Sequence, residues 1–476
     1  MGIKRYICAK DNSISNAFLP NLRTRATGAS LGASDILEVF SIYAQANASS
    51  SEASRILLEF PVAELQYDRT NMLFPVSGSV HFYLNLYNAE HGETLPRQFN
   101  LIVNPLSRSF EEGYGLDHED YTDVVKQGIG SNWVQSAQGV PWTTLGGDIV
   151  TTSSFNQYFD KGTENLQLNI TDLVESWIAG TTPNYGVMVA LTSSQESSSS
   201  GRSYYNKKFF GRTSEHFFKR PNIEARWDSS KKDNRGNFLL SSSALSAADN
   251  LHTIYFYNYY KGQLKNLANV GTGQIFVQLY TSASAGNLIV TSPTVITGGY
   301  VETGIYSASF YLTSTYETVF DRWFSGSVGY YTGSFSPVSF ESQNNRQESG
   351  RYVNSLRNLK SEYSNAETVR LRLFSRSKNW SPNIYSVASN DVENNLIEDA
   401  YFKVYRLSDN YDIIPYGTGS DNHTRLSYDV SGNYFDIDTS MLEAGYAYGI
   451  KLIYLIDGKY EEQRERFHFR IADTYI

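Results

Sequence analysis

The sequence predicts an all-β protein built from several sandwiches. Three observations carry this. The vocabulary is that of short strands and turns, with 36 Tyr and 35 Gly in 476 residues and only 19% charged residues. Apolar residues alternate, as in Val80, Phe82, Leu84 and Leu86, which share one face of an extended chain. Turn signals recur at short intervals, with Asp457-Gly458 the strongest: that pair between two apolar runs marks a type I′ hairpin. A chain of this length carries two to four domains as a prior.

Taken in order, residues 1–228 are expected to be one β domain. Asp11–Phe18 is polar and turn-prone, and Asp35–Ile42 is a strand with partial alternation. Ser54–Phe60 is apolar enough for a central strand, ended by Pro61. Gly78–Tyr87 and Gln98–Val103 follow as strands, and Phe110–Gly147 is a long Gly-, Asp- and Trp-bearing excursion. The stretch Leu168–Trp177 differs in kind. Thr171 or Asp172 offers an N-cap, and Leu173, Val174 and Trp177 share one helical face. Gly180 and Pro183 then stop the helix. It is too short to persist alone in water, so it needs a surface to lie on. Asn184-Tyr185-Gly186 turns the chain into the buried strand Val187–Val189, the tract Ser193–Ser200 is a mobile loop by composition, and Phe209–Arg212 and Asn222–Trp227 close the domain.

Several of these pieces, in this order, resemble the DNRLRE-type jelly-roll module, a β-sandwich similar to a family of carbohydrate-binding domains. They are Ser54–Phe60, Asn132-Trp133 with Trp142 and Gly146-Gly147-Asp148, the Ile170–Trp177 helix, Asn184-Tyr185-Gly186 and Arg220–Ile223. The resemblance implies an N-terminal jelly-roll sandwich. The exposed Ser-Arg-Glu usual near its end is replaced here by Gly211-Arg212-Thr213-Ser214-Glu215.

Residues 229–233 are polar and are expected to be a linker. Residues 234–345 and 346–476 are then expected to be two Ig-like or fibronectin-like sandwiches, each near the size of that class. In the first, Gly304 and Tyr306 suggest a corner where a Tyr hydroxyl ties down a crossover; in the second, Leu442–Tyr448 resembles the tyrosine corner of such sandwiches, with Tyr448 as the corner residue. The text around Lys378–Pro382, Pro415–Asp421 and Tyr428–Phe435 resembles structural proteins of tailed bacteriophages. That resemblance implies a virion component on tail, neck or capsid, with other virion proteins and sister copies as partners and a homo-oligomeric state.

The chemistry-bearing patterns are few. No phosphate loop and no H-E-x-x-H occurs, and no catalytic residue and no cofactor are expected. A net charge of −9 argues against nucleic acid, and no apolar run is long enough to span a bilayer. Met1–Lys10 lacks a signal-peptide pattern, and the single Cys8 leaves no intramolecular disulfide. Asp117, Glu119 and Asp120, with Asp123 nearby, are dense enough in carboxylates to hold Ca²⁺; a solvated acidic loop or helix start is the plainer reading. Trp133, Trp142 and Tyr185, with Tyr204-Tyr205, are candidates for a sugar platform on a host surface glycan, against the default of core packing. Lys207-Lys208 with Lys219-Arg220 is expected to be a solvated rim or an electrostatic dock for an acidic neighbour, and Asp436-Ile437-Asp438 to guard a strand edge. The alternative to a virion building block is a carbohydrate-binding adhesin.

Overall fold

The computed structural model describes residues 1–91, 97–116, 129–197, 203–284, 286–289, 291, 293–338, 352–378, 384 and 394–472. It is an all-β structure, with 44% strand and 7% helix. The chain divides into two compact units, Ile3–Trp227 and Asp228–Ile476 with Met1–Gly2.

The first unit is an antiparallel jelly-roll sandwich. One sheet has the order Ile3–Ile7, Asn222–Arg226, His81–Leu86, Leu166–Asn169. The other runs Ser203–Phe210, Ile36–Tyr43, Ser51–Glu59, Val187–Leu191, Phe99–Pro105, Phe155–Phe159, and Lys10–Ser15 also pairs with Ser51–Glu59. Alternation sends Ile56 and Leu58, Leu84 and Leu86, Leu101 and Val103, Val187 and Val189 into one core between the sheets. The segment Lys10–Ser15, expected to be turn-prone, is a strand because its polar side chains find buried partners. Asn12 donates to the Ser131 carbonyl (2.9 Å) and accepts from the Leu31 N–H (2.7 Å).

The helix Thr171–Ile178 forms as expected and buries Leu173, Val174 and Trp177. Its cap differs: Ile170 occupies that position, and the Thr171 hydroxyl instead accepts from the Phe82 N–H (2.9 Å), tying the helix to its sheet. It also packs against a helix the alternation pattern concealed, Val62–Thr70, through Arg69 and Glu175 (2.6 Å). Gly186, at φ +87°, is obligatory: a Cβ there would stand 2.1 Å from the Leu58 carbonyl oxygen.

In the second unit, residues 252–335 form one curled sheet in the order His252–Tyr257, Ile305–Phe310, Ile296–Glu302, Ile275–Tyr280, Val319–Ser325, Val328–Phe335. Ile296–Glu302 pairs with both its neighbours, with a register shift between Tyr300 and Glu302, so the sheet bends around a core holding Phe256, Val277, Tyr306, Phe310 and Trp323. Phe238 fills the opening between its two ends, 5.2 Å from Phe310 and 4.6 Å from Phe335.

The last sandwich has Tyr352–Leu356, Thr368–Ser377, Gly432–Asp438 and Ser427–Asp429 in one sheet. The other sheet has Glu362–Tyr363, Phe467–Ile471, Ala447–Ile456, Ala400–Arg406 and Asp412–Ile414. In chain order these are the A-B-E-D and G-F-C arrangements of an Ig-like sandwich, with short extra edge strands. Phe402 and Phe435 stack across the two sheets at 4.5 Å. Asp457 and Gly458 both have positive φ, +49° and +75°, as the type I′ turn requires.

Candidate functional site

The outer face of the seven-stranded sheet in the first unit is where the sugar candidates lie. Strand alternation points Ile14, Ala53, Leu57, Met188 and Ala190 outwards there, and Leu106, Phe110, Trp133, Trp142 and Ile149 cover them. Trp133 and Trp142 are 7% and 5% exposed and form the centre of this second core, with Tyr185 packed half-buried against it. The Trp142 indole N–H donates to the Asn132 carbonyl (2.8 Å). Stacking on a sugar requires an open ring face, and these two indoles spend theirs on protein. Arg55 lies over the Trp133 ring at 4.9 Å, donates to the Gly146 carbonyl (2.9 Å) and forms a forked pair with Glu196 (3.1 and 2.7 Å). Glu196 belongs to the short helix Ser193–Ser197, which stands where the Ser-rich composition predicts a loop. The helix is held there because Ser41 and Ser51 donate hydroxyls to the Gln195 and Glu196 carbonyls.

The acidic candidates Asp117, Glu119 and Asp120 lie outside the described residues. Among the described residues, no three His, Cys, Asp or Glu side chains gather closely enough to hold a metal ion. The stretch leading to that segment is clamped by another group. Glu112 takes a forked pair from Arg212 (2.9 and 3.0 Å) and accepts the Asp11 N–H (2.9 Å), while Asp11 accepts the Arg212 N–H (2.6 Å). Asp11 is fully buried; burial pushes its carboxyl up to about 7, Glu112 adds to the rise and Arg212 opposes it. The Cys8 thiol is buried beside this group, donates to the Lys10 carbonyl (2.9 Å) and is pushed well up by burial.

The basic patch is not a solvated rim. Lys207 is 1% exposed and points into the sandwich, because residues 205, 207 and 209 face inward on their strand. Its ammonium donates to the Asn88 side-chain oxygen and to the Gly162 and Glu164 carbonyls (both 2.8 Å), between the rings of Phe159 (5.3 Å) and Phe209 (5.1 Å). Lys208 faces Glu38 at 3.7 Å, Lys219 lies over Phe210 at 4.9 Å, and Arg220 donates to the Ser214 carbonyl (2.9 Å).

Both tyrosine corners exist. Tyr448 donates to the Glu443 carbonyl (2.7 Å). Tyr306 donates to the Gly271 carbonyl (2.7 Å) and accepts from the Leu267 N–H (3.0 Å), fastening the 267–271 crossover. Within residues 229–233, expected to be a linker, Lys231 and Asp233 are bound, as are Asn234 and Arg235 just after it. Lys231 and Tyr428 exchange backbone bonds with their neighbours through Tyr428 N–H to Lys231 O (3.0 Å) and Asp233 N–H to Tyr428 O (3.0 Å). Asn234 donates to the Tyr428 hydroxyl (3.0 Å). Arg235 then enters the curled sheet as a forked pair with the fully buried Asp321 (2.8 and 2.8 Å), which also accepts the Trp323 indole N–H (2.6 Å). Of the two acids on the Gly432–Asp438 strand, Asp436 forms a forked pair with its cross-strand partner Arg370 (2.8 and 3.0 Å), and Asp438 caps a short helical turn through the Ser440 N–H (3.0 Å).

No family model and no curated protein matches the chain. Among solved structures, the adhesin InvE of Yersinia pseudotuberculosis is 12% identical over 37% of this chain and 45% of its own, with TM-score 0.16. A marsupial T cell receptor is 8% identical over 50% of this chain and 70% of its own, with TM-score 0.15. The BSP domain of a biofilm-associated protein is 9% identical over 96% of this chain and 69% of its own, with TM-score 0.17. The chain spans less than half of the adhesin's length, and similarities this weak carry no argument.

Proposed function

We propose that the chain is a non-enzymatic building block of a tailed-phage particle, placed on its tail, neck or capsid. It would assemble through the outer surfaces of its sandwiches with other virion proteins and with copies of itself. The observation that carries this reading is the bound segment 231–235. A chain that commits a backbone bridge and a buried Arg235–Asp321 pair to the join between the curled sheet and the last sandwich resists bending there, which suits a building block that transmits force. Exposed Tyr67, Tyr158, Tyr204, Tyr259 and Tyr260 supply rigid amphipathic area of the sort that protein interfaces use. An adhesive role needs a ligand face other than the two buried indoles.

The test is mass spectrometry of purified particles, with a glycan array on the isolated protein. Recovery of the chain from particles in fixed stoichiometry supports the proposal. Its absence from them overturns it, and saturable glycan binding without particle association would favour the adhesin.

A further inference from the structure

Lys207 is an anomaly for a structural protein. A buried ammonium loses its hydration, and a well-packed apolar side chain would fill the same space without that cost. What surrounds it is chemically specific. The side-chain amide of Asn88 touches the amine directly, two carbonyls orient it, and Phe159 and Phe209 keep water out. Glu164 lies beside them: the amine bonds its backbone carbonyl and its carboxylate interacts electrostatically with Lys207, while Oε1 accepts the Lys161 N–H (2.7 Å) and Oε2 is buried without a hydrogen-bond partner. We propose that Lys207 and Asn88 are the two halves of an intramolecular isopeptide bond, with Glu164 as the group that moves the proton.

The reaction balances without any co-reactant. The neutral Lys207 Nζ attacks Cγ of Asn88, forming the new C–N bond and a tetrahedral centre. Glu164 accepts a proton from the attacking nitrogen and delivers it to the amide nitrogen, and the old C–N bond breaks to release ammonia. Amine and amide are thus converted to a secondary amide and ammonia, with nothing oxidised or reduced. The surroundings favour each requirement. Burial brings the Lys207 amine down to about 8, which raises the neutral fraction. Burial also works against the charge on Glu164, but the N–H groups around it and Lys207 hold its carboxyl below the usual range, so it starts as a base. Exclusion of water by the two rings suppresses competing hydrolysis.

The bond would have a mechanical consequence. Lys207 belongs to the seven-stranded sheet, and Asn88 follows the His81–Leu86 strand of the four-stranded sheet. Ala89 N–H to Lys208 O and Phe210 N–H to Tyr87 O (both 3.0 Å) already tie these segments, and the link would make that tie covalent across 119 residues of chain. This inference stands whether or not the protein belongs to a virion.

The test is intact-mass and peptide mass spectrometry on the purified full chain. The wild type is expected to be lighter than its sequence by one ammonia and to yield one branched peptide joining the Asn88 and Lys207 segments. Lys207→Arg and Glu164→Gln are each expected to have the full sequence mass and no branched peptide. Glu164→Gln keeps the shape of the site, so its folding, checked by circular dichroism, separates lost chemistry from lost structure. A folded wild type at full mass after prolonged incubation overturns the proposal, as does an ammonia loss that maps to any other residue.

Discussion

Replacing Tyr306 by Phe isolates what one hydroxyl does. The ring stays in the core, where it is fully buried among Phe256 and Tyr300, so packing is unchanged. What is lost is a pair of hydrogen bonds, one to the Gly271 carbonyl and one from the Leu267 N–H. Each contributes a net ~1 kcal/mol, so the 267–271 crossover should become easier to open by about 2 kcal/mol. At a factor of ten per ~1.4 kcal/mol, amide exchange in a peptide covering this crossover should accelerate about 30-fold. Tyr448→Phe is the internal comparison. It removes one bond, to the Glu443 carbonyl, so the effect should be about 1 kcal/mol and about fivefold, confined to the 443–448 corner. Hydrogen–deuterium exchange followed by mass spectrometry reads both at peptide resolution. An unchanged rate at 267–271 in Tyr306→Phe, or a larger effect from Tyr448→Phe, would refute the two-bond reasoning.

Two further outcomes follow from buried charges. The Asp11 carboxyl rises from 3.8 unfolded to about 7 folded, so between those values the folded state holds the extra proton. Its contribution to stability is complete below about pH 4 and is lost as pH rises through 7, with a slope of at most about 1.4 kcal/mol per pH unit. Urea midpoints of the wild type should therefore fall over that range, and Asp11→Asn should flatten the fall; a parallel fall in the variant would assign it to another group. Asp321→Ala strands Arg235 in a buried position and should cost about 3–5 kcal/mol, whereas Arg370→Ala breaks a partly exposed pair worth under ~1 kcal/mol. Equal shifts in urea midpoint for the two would contradict the difference in burial.

What the amino-acid sequence determined by itself is what depends on near neighbours along the chain. The hydrophobic face of Leu173, Val174 and Trp177, the alternation from Val80 to Leu86, the Asp457-Gly458 turn and the Tyr448 corner all follow from local periodicity or backbone stereochemistry. Only the tertiary structure decided the fate of polar and aromatic residues whose partners are remote. Asn12 reads as a turn former until Ser131 satisfies it, and Lys207 reads as surface until Asn88 and two Phe rings enclose it. Trp133 and Trp142 suit a core or a ligand platform until a sheet face closes over them, and Lys231–Asp233 reads as a tether until Tyr428 binds it. A side chain's periodicity is set within a few residues. The free energy of burying its polar group is set by whichever group stands opposite, and that group arrives from a hundred residues away.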